Sequence, residues 1–123
     1  MDEDRITEAI IGASIEVHRE LGPGLLESAY ESCLAYELAT RELKALRQLQ
    51  LPVVDKEVRL DCGDRIDLLV EDRVVVEVKA VERLEPIHQA QLLTSLRLSG
   101  HRVGLLINFN ARTIKEGFKR MVL

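Results

Sequence analysis

Two short segments, Arg65-Ile66-Asp67-Leu68-Leu69-Val70 and Val74-Val75-Val76-Glu77-Val78-Lys79-Ala80, alternate with the period of a β-strand and are separated only by Glu71-Asp72-Arg73. In the first, Ile66, Leu68 and Val70 share one face while Arg65, Asp67 and Leu69 share the other. In the second, Val74, Val76, Val78 and Ala80 oppose Val75, Glu77 and Lys79. Each strand therefore has one wholly apolar side. In a hairpin, directly opposed residues lie on one face, so the apolar sides coincide only when paired residue numbers have an even sum. Turns of three or five residues satisfy that parity.

The three-residue turn pairs Ile66 with Val78, Leu68 with Val76, and Asp67 with Glu77. Two carboxylates then face each other, which is unfavourable unless a cation lies between them or a shared proton relieves the repulsion. Hard oxygen ligands of this kind suit Mg²⁺ or Mn²⁺. The five-residue turn instead sets Asp67 opposite Lys79, an ion pair on a solvated sheet face. At this level both arrangements stand.

Around these strands the spacing changes twice. Apolar residues recur at helical spacing from about residue 4 to 21 (Ile6, Ala9, Ile10, Ala13, Ile15, Val17, Leu21), and Gly22-Pro23-Gly24 stops the run. A second run from about Leu26 to Leu43 carries Ala29, Tyr30, Cys33, Leu34 and Leu38, predicting a helical hairpin in which Tyr30 and Cys33 are core residues. Glu27 and Glu31 lie near its start, where carboxylates suit the helix dipole. Leu49, Leu51, Val53, Val54, Val58 and Leu60 then read as outer strands, with Pro52 unsuited to a central one. Cys62-Gly63-Asp64 predicts a turn into the first of the two diagnostic strands. A helix follows Pro86 and closes at Gly100, residues 103–107 form a buried strand, and residues 114–123 predict a short turn and a last strand.

Composition narrows the function classes. A chain of 123 residues suits one domain over 1–123, and with 46% apolar but only 3% aromatic residues its core must be aliphatic. Base-stacking platforms of aromatic residues are therefore not expected. Cys33 and Cys62 are too few for a disulfide framework or a cysteine zinc site, and nothing at the N-terminus reads as a signal peptide. No stretch approaches the roughly 18 apolar residues of a membrane span, so a reducing, cytoplasmic setting without membrane partners is expected. The net charge of −4 opposes generic polyanion binding. Yet residues 86–123 carry six Lys/Arg against Glu116 alone, whereas residues 1–85 carry 11 Lys/Arg against 20 Asp/Glu. Such an asymmetry can seat a phosphate backbone beside a carboxylate site, or simply solvate a helix and a strand.

The segment Gly24-Leu25-Leu26-Glu27-Ser28-Ala29-Tyr30 resembles the signature of the GxxExxY protein family. So do Ile15-Glu16-Val17-His18-Arg19-Glu20-Leu21-Gly22-Pro23, Asp67-Leu68-Leu69-Val70, Val76-Glu77-Val78-Lys79-Ala80-Val81, His88-Gln89-Ala90-Gln91-Leu92-Leu93 and Gly104-Leu105-Leu106-Ile107-Asn108-Phe109-Asn110, in order along nearly the whole chain. That family is placed in the PD-(D/E)XK nuclease superfamily. The resemblance implies an α/β (α+β) fold: a mixed β-sheet flanked by helices, with a restriction-endonuclease-like αβββαβ core behind the N-terminal helical hairpin.

It further implies that Asp67 and Glu77 are the motif acids, Lys79 the motif lysine, Glu27 a helix-borne acid completing a metal site, and Gln91 the polar residue of the following helix. Ile66 stands where the superfamily name has Pro, and Ser95 where related helicase-associated exonucleases have Tyr. On this reading Asp67, Glu77, the Val78 carbonyl and Glu27 hold Mg²⁺ or Mn²⁺, and the substrate is nucleic acid, DNA or RNA. The alternative is a catalytically silent nuclease-fold module binding nucleic acid or a protein partner. Its small acidic surface leaves little area for gripping a duplex unless the chain forms a homo-oligomer. His88 and Gln91, three residues apart on one helix face, are suited to touching phosphate or to forming a polar rim.

Overall fold

A computed structural model describes residues 1–51, 53–55, 58–60 and 65–123. Helix α1 spans Glu3–Leu21; the Asp2 carboxylate caps it by accepting from the Arg5 N–H at 2.9 Å, and Gly22, at φ 67°, lets the chain leave it. Its buried stripe is Ile6, Ile10, Ala13 and Val17. Ile15 falls outside the stripe and is exposed, because nine residues at about 100° each place it opposite Ile6.

Helix α2, Glu27–Thr40, packs against α1 through Tyr30, Leu34 and Leu38. It stops three residues short of Leu43, where Glu42 adopts φ 62°. Cys33, expected in the core, is exposed, since it sits about 100° around the helix from Leu34. Tyr30 is fully buried, as expected.

The main sheet has the order β1-β4-β5-β6-β7, formed by Ala45–Gln50, Arg65–Val70, Val74–Lys79, Val103–Asn108 and Phe118–Val122. Only β5 and β6 are parallel, and helix α3, Pro86–Ser99, makes the crossover between them. The short strands β2, Val53–Asp55, and β3, Val58–Leu60, pair in a separate two-stranded sheet. The turn expected at Cys62-Gly63-Asp64 lies outside the described residues. Leaving β2 and β3 aside, α2, β1, β4, β5, α3 and β6 follow the αβββαβ order, and the last strand expected in the tail is β7.

The two faces of the sheet bury different clusters. Helices α1 and α2 cover Leu68, Val70, Val74, Val76, Val78, Val103, Leu105 and Ile107. Helix α3 covers Leu69, Val75 and Leu106 through Leu92 and Leu96. The approach of α3 is close enough that a Cβ on Gly104 would stand 2.8 Å from a Leu92 methyl group. Among the described residues no helix is long and apolar enough to cross a membrane.

The β4–β5 turn has three residues, with Leu68 opposite Val76, Leu69 opposite Val75 and Val70 opposite Val74. The parity argument thus holds at the turn, but the Ile66–Val78 and Asp67–Glu77 pairs expected beyond it do not form. The Asp67 carboxylate occupies that position instead, accepting from the Val78 N–H at 2.8 Å. Ile66 also departs from the apolar face assigned to it and packs with Leu51, Leu92 and Leu96 on the α3 side.

Candidate functional site

Where β4 and β5 part, a cavity of about 550 Å³ opens between the sheet, the start of α2 and helix α3. Its lining includes Glu27, Gln48, Arg65, Asp67, Glu77 and Lys79, with His88, Gln91, Thr94 and Ser95 supplied by α3. All five side chains singled out from the sequence as site residues, Glu27, Asp67, Glu77, Lys79 and Gln91, therefore line one space.

The G-x-x-E-x-x-Y segment shows how Glu27 is delivered. Tyr30 stacks on Phe109 with ring centroids 4.8 Å apart, while its hydroxyl donates to the Gly22 carbonyl at 2.5 Å and accepts from the Leu25 N–H at 3.1 Å. This clasp holds the loop between α1 and α2, in which Gly24 has φ 106°. Glu27 is then the first residue of α2, and its carboxylate reaches over to accept from the Ala80 N–H at 3.1 Å. It bonds to the end of β5, one residue past Lys79, rather than only serving its own helix.

Asp67 is held at both oxygens. Oδ2 accepts from the Val78 N–H, and Oδ1 accepts from Gln48 Nε2 at 3.3 Å. Because the Phe109 N–H donates to the Lys79 carbonyl at 2.8 Å, alternate residues of β5 address β6, and the Val78 N–H and carbonyl both address the β4 side. The Val78 carbonyl is thus on the edge where Asp67 sits. Glu77 is only 9% exposed, a degree of burial at which a carboxylate needs charged or hydrogen-bonding partners.

The chain just past Lys79 is clamped by Asn108, its register partner on β6. Asn108, at the end of β6, accepts from the Val81 and Asn110 N–H groups at 3.1 Å each and donates to the Val81 carbonyl at 2.9 Å. On α3, His88 Nδ1 accepts from the Glu85 N–H at 2.9 Å as part of a capping box, and Gln91 is exposed at the cavity.

The donors Glu27, Asp67, Glu77 and the Val78 carbonyl are all hard oxygens, whose chemistry fits Mg²⁺ or Mn²⁺. Among the described residues, however, no three carboxylate, imidazole or thiol groups are gathered into a ready-made cage. That is compatible with an ion held by a few protein oxygens and completed by waters and a phosphate, the usual habit of Mg²⁺.

Sequence reasoning missed Gln48, Arg65, Thr94 and the clamp formed by Asn108. In the sequence, Asn108 stands out only as a position in a matching segment and Ser95 only as a departure from the Tyr of related exonucleases, and nothing in the period-two pattern of β1 marks Gln48. Its signal is conformational, φ 52° in the middle of a strand.

A family model for the PD-(D/E)XK nuclease superfamily matches residues 4–121. No curated protein and no solved structure matched the chain. The family match covers nearly every element described above, and the αβββαβ order of those elements brings Asp67, Glu77 and Lys79 to one cavity, which Val78 itself does not line. This chain therefore belongs to the PD-(D/E)XK nuclease superfamily.

Proposed function

We propose that the chain is a divalent-metal-dependent nuclease that hydrolyses phosphodiester bonds of DNA or RNA at the cavity between β4, β5 and α3. The observation that carries this reading is the convergence of Asp67, Glu77, Lys79 and Glu27 on one space, with Asp67 pinned to the backbone of the strand that bears the other two motif residues. Asp67, Glu77 and the Val78 carbonyl would hold Mg²⁺ or Mn²⁺, with Glu27 as a further direct or water-mediated ligand. When bound, such an ion supplies Lewis-acid polarisation of a phosphate and a more acidic water.

The protein's own contributions follow from position. Lys79 brings an ammonium group to the same cavity, where it offsets charge gathering on the phosphate oxygens or orients the attacking water. Gln91, exposed on α3, donates its amide to a substrate phosphate. The six Lys and Arg of residues 86–123 do not line the cavity; the cations that do are Arg65 and Lys79, and Arg97 donates to the lining residue Thr94 at 3.3 Å, so positive charge suited to a polyanion stands at the site itself. A silent nucleic-acid-binding or protein-binding module is the competing reading, favoured by the lack of a preformed three-group metal cluster among the described residues.

Single- and double-stranded DNA and RNA, incubated with the protein and Mn²⁺, separate the two readings. The Lys79→Ala variant is expected to bind Mn²⁺ in calorimetry as the wild type does while losing cleavage by about 10²–10³-fold. Cleavage retained in that variant rejects the role of Lys79, and Mn²⁺ binding without cleavage of any substrate by the wild type favours the silent module.

A further inference from the structure

We infer that Gln48 is a positioning residue for Asp67: its side-chain amide, braced on the buried Glu31, sets the carboxylate in the orientation from which Asp67 takes up a divalent cation. This rests on the metal-site reading above.

Gln48 lies in the middle of β1, between Arg47, which is opposite Leu68, and Leu49, which is opposite Ile66. In a regular ladder it would pair with Asp67. Instead its backbone adopts φ 52°, a conformation that non-glycine residues seldom hold inside a strand and that surrounding structure must enforce. Two hydrogen bonds accompany that conformation. Gln48 Nε2 donates to Glu31 Oε1 at 2.6 Å and to Asp67 Oδ1 at 3.3 Å, engaging both hydrogens of the amide.

Glu31 makes the brace rigid. It is 6% exposed, and its other oxygen, Oε2, accepts from Arg47 Nε at 3.2 Å and Nη2 at 3.0 Å. If Gln48 swung away, a buried carboxylate oxygen would lose its donor, an expensive loss for a charged group. Helix α2 thus serves the site twice, presenting Glu27 to the cavity and, one turn later, Glu31 behind Asp67.

An amide suits this place better than a cation would. With the Val78 N–H on Oδ2 and Gln48 on Oδ1, the Asp67 carboxylate is oriented at both oxygens while each retains a lone pair. A lysine or arginine in place of Gln48 would orient the carboxylate too, but its positive charge would compete with the metal ion. A neutral donor fixes geometry without doing so. Donors of this kind to ligating groups characteristically control affinity without touching the metal.

The test compares wild type with Gln48→Asn and Gln48→Gly, both of which tolerate positive φ and neither of which reaches the two carboxylates. Mn²⁺ titration calorimetry and thermal unfolding by circular dichroism are the readouts. The expected result is Mn²⁺ affinity about 10–100-fold below wild type in both variants, with cooperative unfolding retained. In the wild type, Mg²⁺ titration followed by NMR should shift the Gln48 side-chain amide resonances. Variants that bind Mn²⁺ as tightly as wild type, or amide resonances that ignore Mg²⁺, overturn the positioning role and leave the metal site standing. A wild type that binds no Mn²⁺ overturns the metal-site reading itself and this role with it.

Discussion

At the turn end of the β4–β5 hairpin, Leu68, Leu69 and Val70 pair with Val76, Val75 and Val74, and all six are at most 3% exposed. One residue further from the turn, the same two strands no longer pair. There the Val78 N–H is satisfied by the Asp67 carboxylate, and just past the strand the Ala80 N–H is satisfied by Glu27. The contrast teaches how a sheet can open without stranding its backbone. Side-chain carboxylates replace the missing acceptors, so the N–H groups stay satisfied while oriented negative charge is delivered to the gap. Apolar burial at the closed end supplies the stability that holds such a gap open.

If the two ends divide labour in this way, mutations at each should separate stability from binding. The largest effect on stability is expected from Leu68→Ala at the closed end. Equilibrium urea unfolding should show a loss of about 3 kcal/mol from the lost burial and the cavity left behind, while the folded fraction still binds Mn²⁺. At the open end, Asp67→Asn keeps an acceptor for Val78 but removes the charge, so stability should change by no more than about 1 kcal/mol. Its Mn²⁺ heat in calorimetry should disappear. A stability loss in Asp67→Asn equal to that in Leu68→Ala would erase the distinction between the two ends.

The smallest effect is expected remote from the hairpin, at the exposed Arg112–Glu116 pair, where N···O is 2.7 Å. The Arg112 hydrogen bond, and then its charge, hold the Glu116 carboxyl below its ordinary pKa. A lowered folded-state pKa contributes stability above the ordinary carboxylate range and loses it as pH falls through the lowered value. Thermal melts of Glu116→Gln should therefore lie just below wild type at neutral pH and converge with it in acid. The gap should be slight, because solvent screens the pair. A large gap would show that surface pairs, and not only the closed hairpin, carry the stability.

The hairpin also shows what could be read in advance. Alternation in residues 65–80 and the short Glu71-Asp72-Arg73 link left two registers, and the three-residue turn is the one present. The helical spacing around Tyr30 correctly placed it in the core, where it clasps the loop leading to Glu27. Period-two reasoning failed at Ile66, because it assumes that a ladder continues, and here a side chain ends it. Helical-spacing reasoning failed at Cys33, because an apolar residue near a buried stripe is not necessarily on it.

Residue order alone determined the helices, the strands and the parity that narrowed the hairpin to two registers, since each follows from spacing over a few neighbours, while the acids were picked out by a resemblance along the chain. Tertiary structure decided that Glu27 would reach Ala80, that Gln48 would take a left-handed backbone, and that Glu31 and Gln48 would stand behind Asp67. Those contacts join residues 17 to 53 positions apart, and the packing of α2 onto β1 and β5, together with the pairing of β1 and β4, brings them within hydrogen-bond reach.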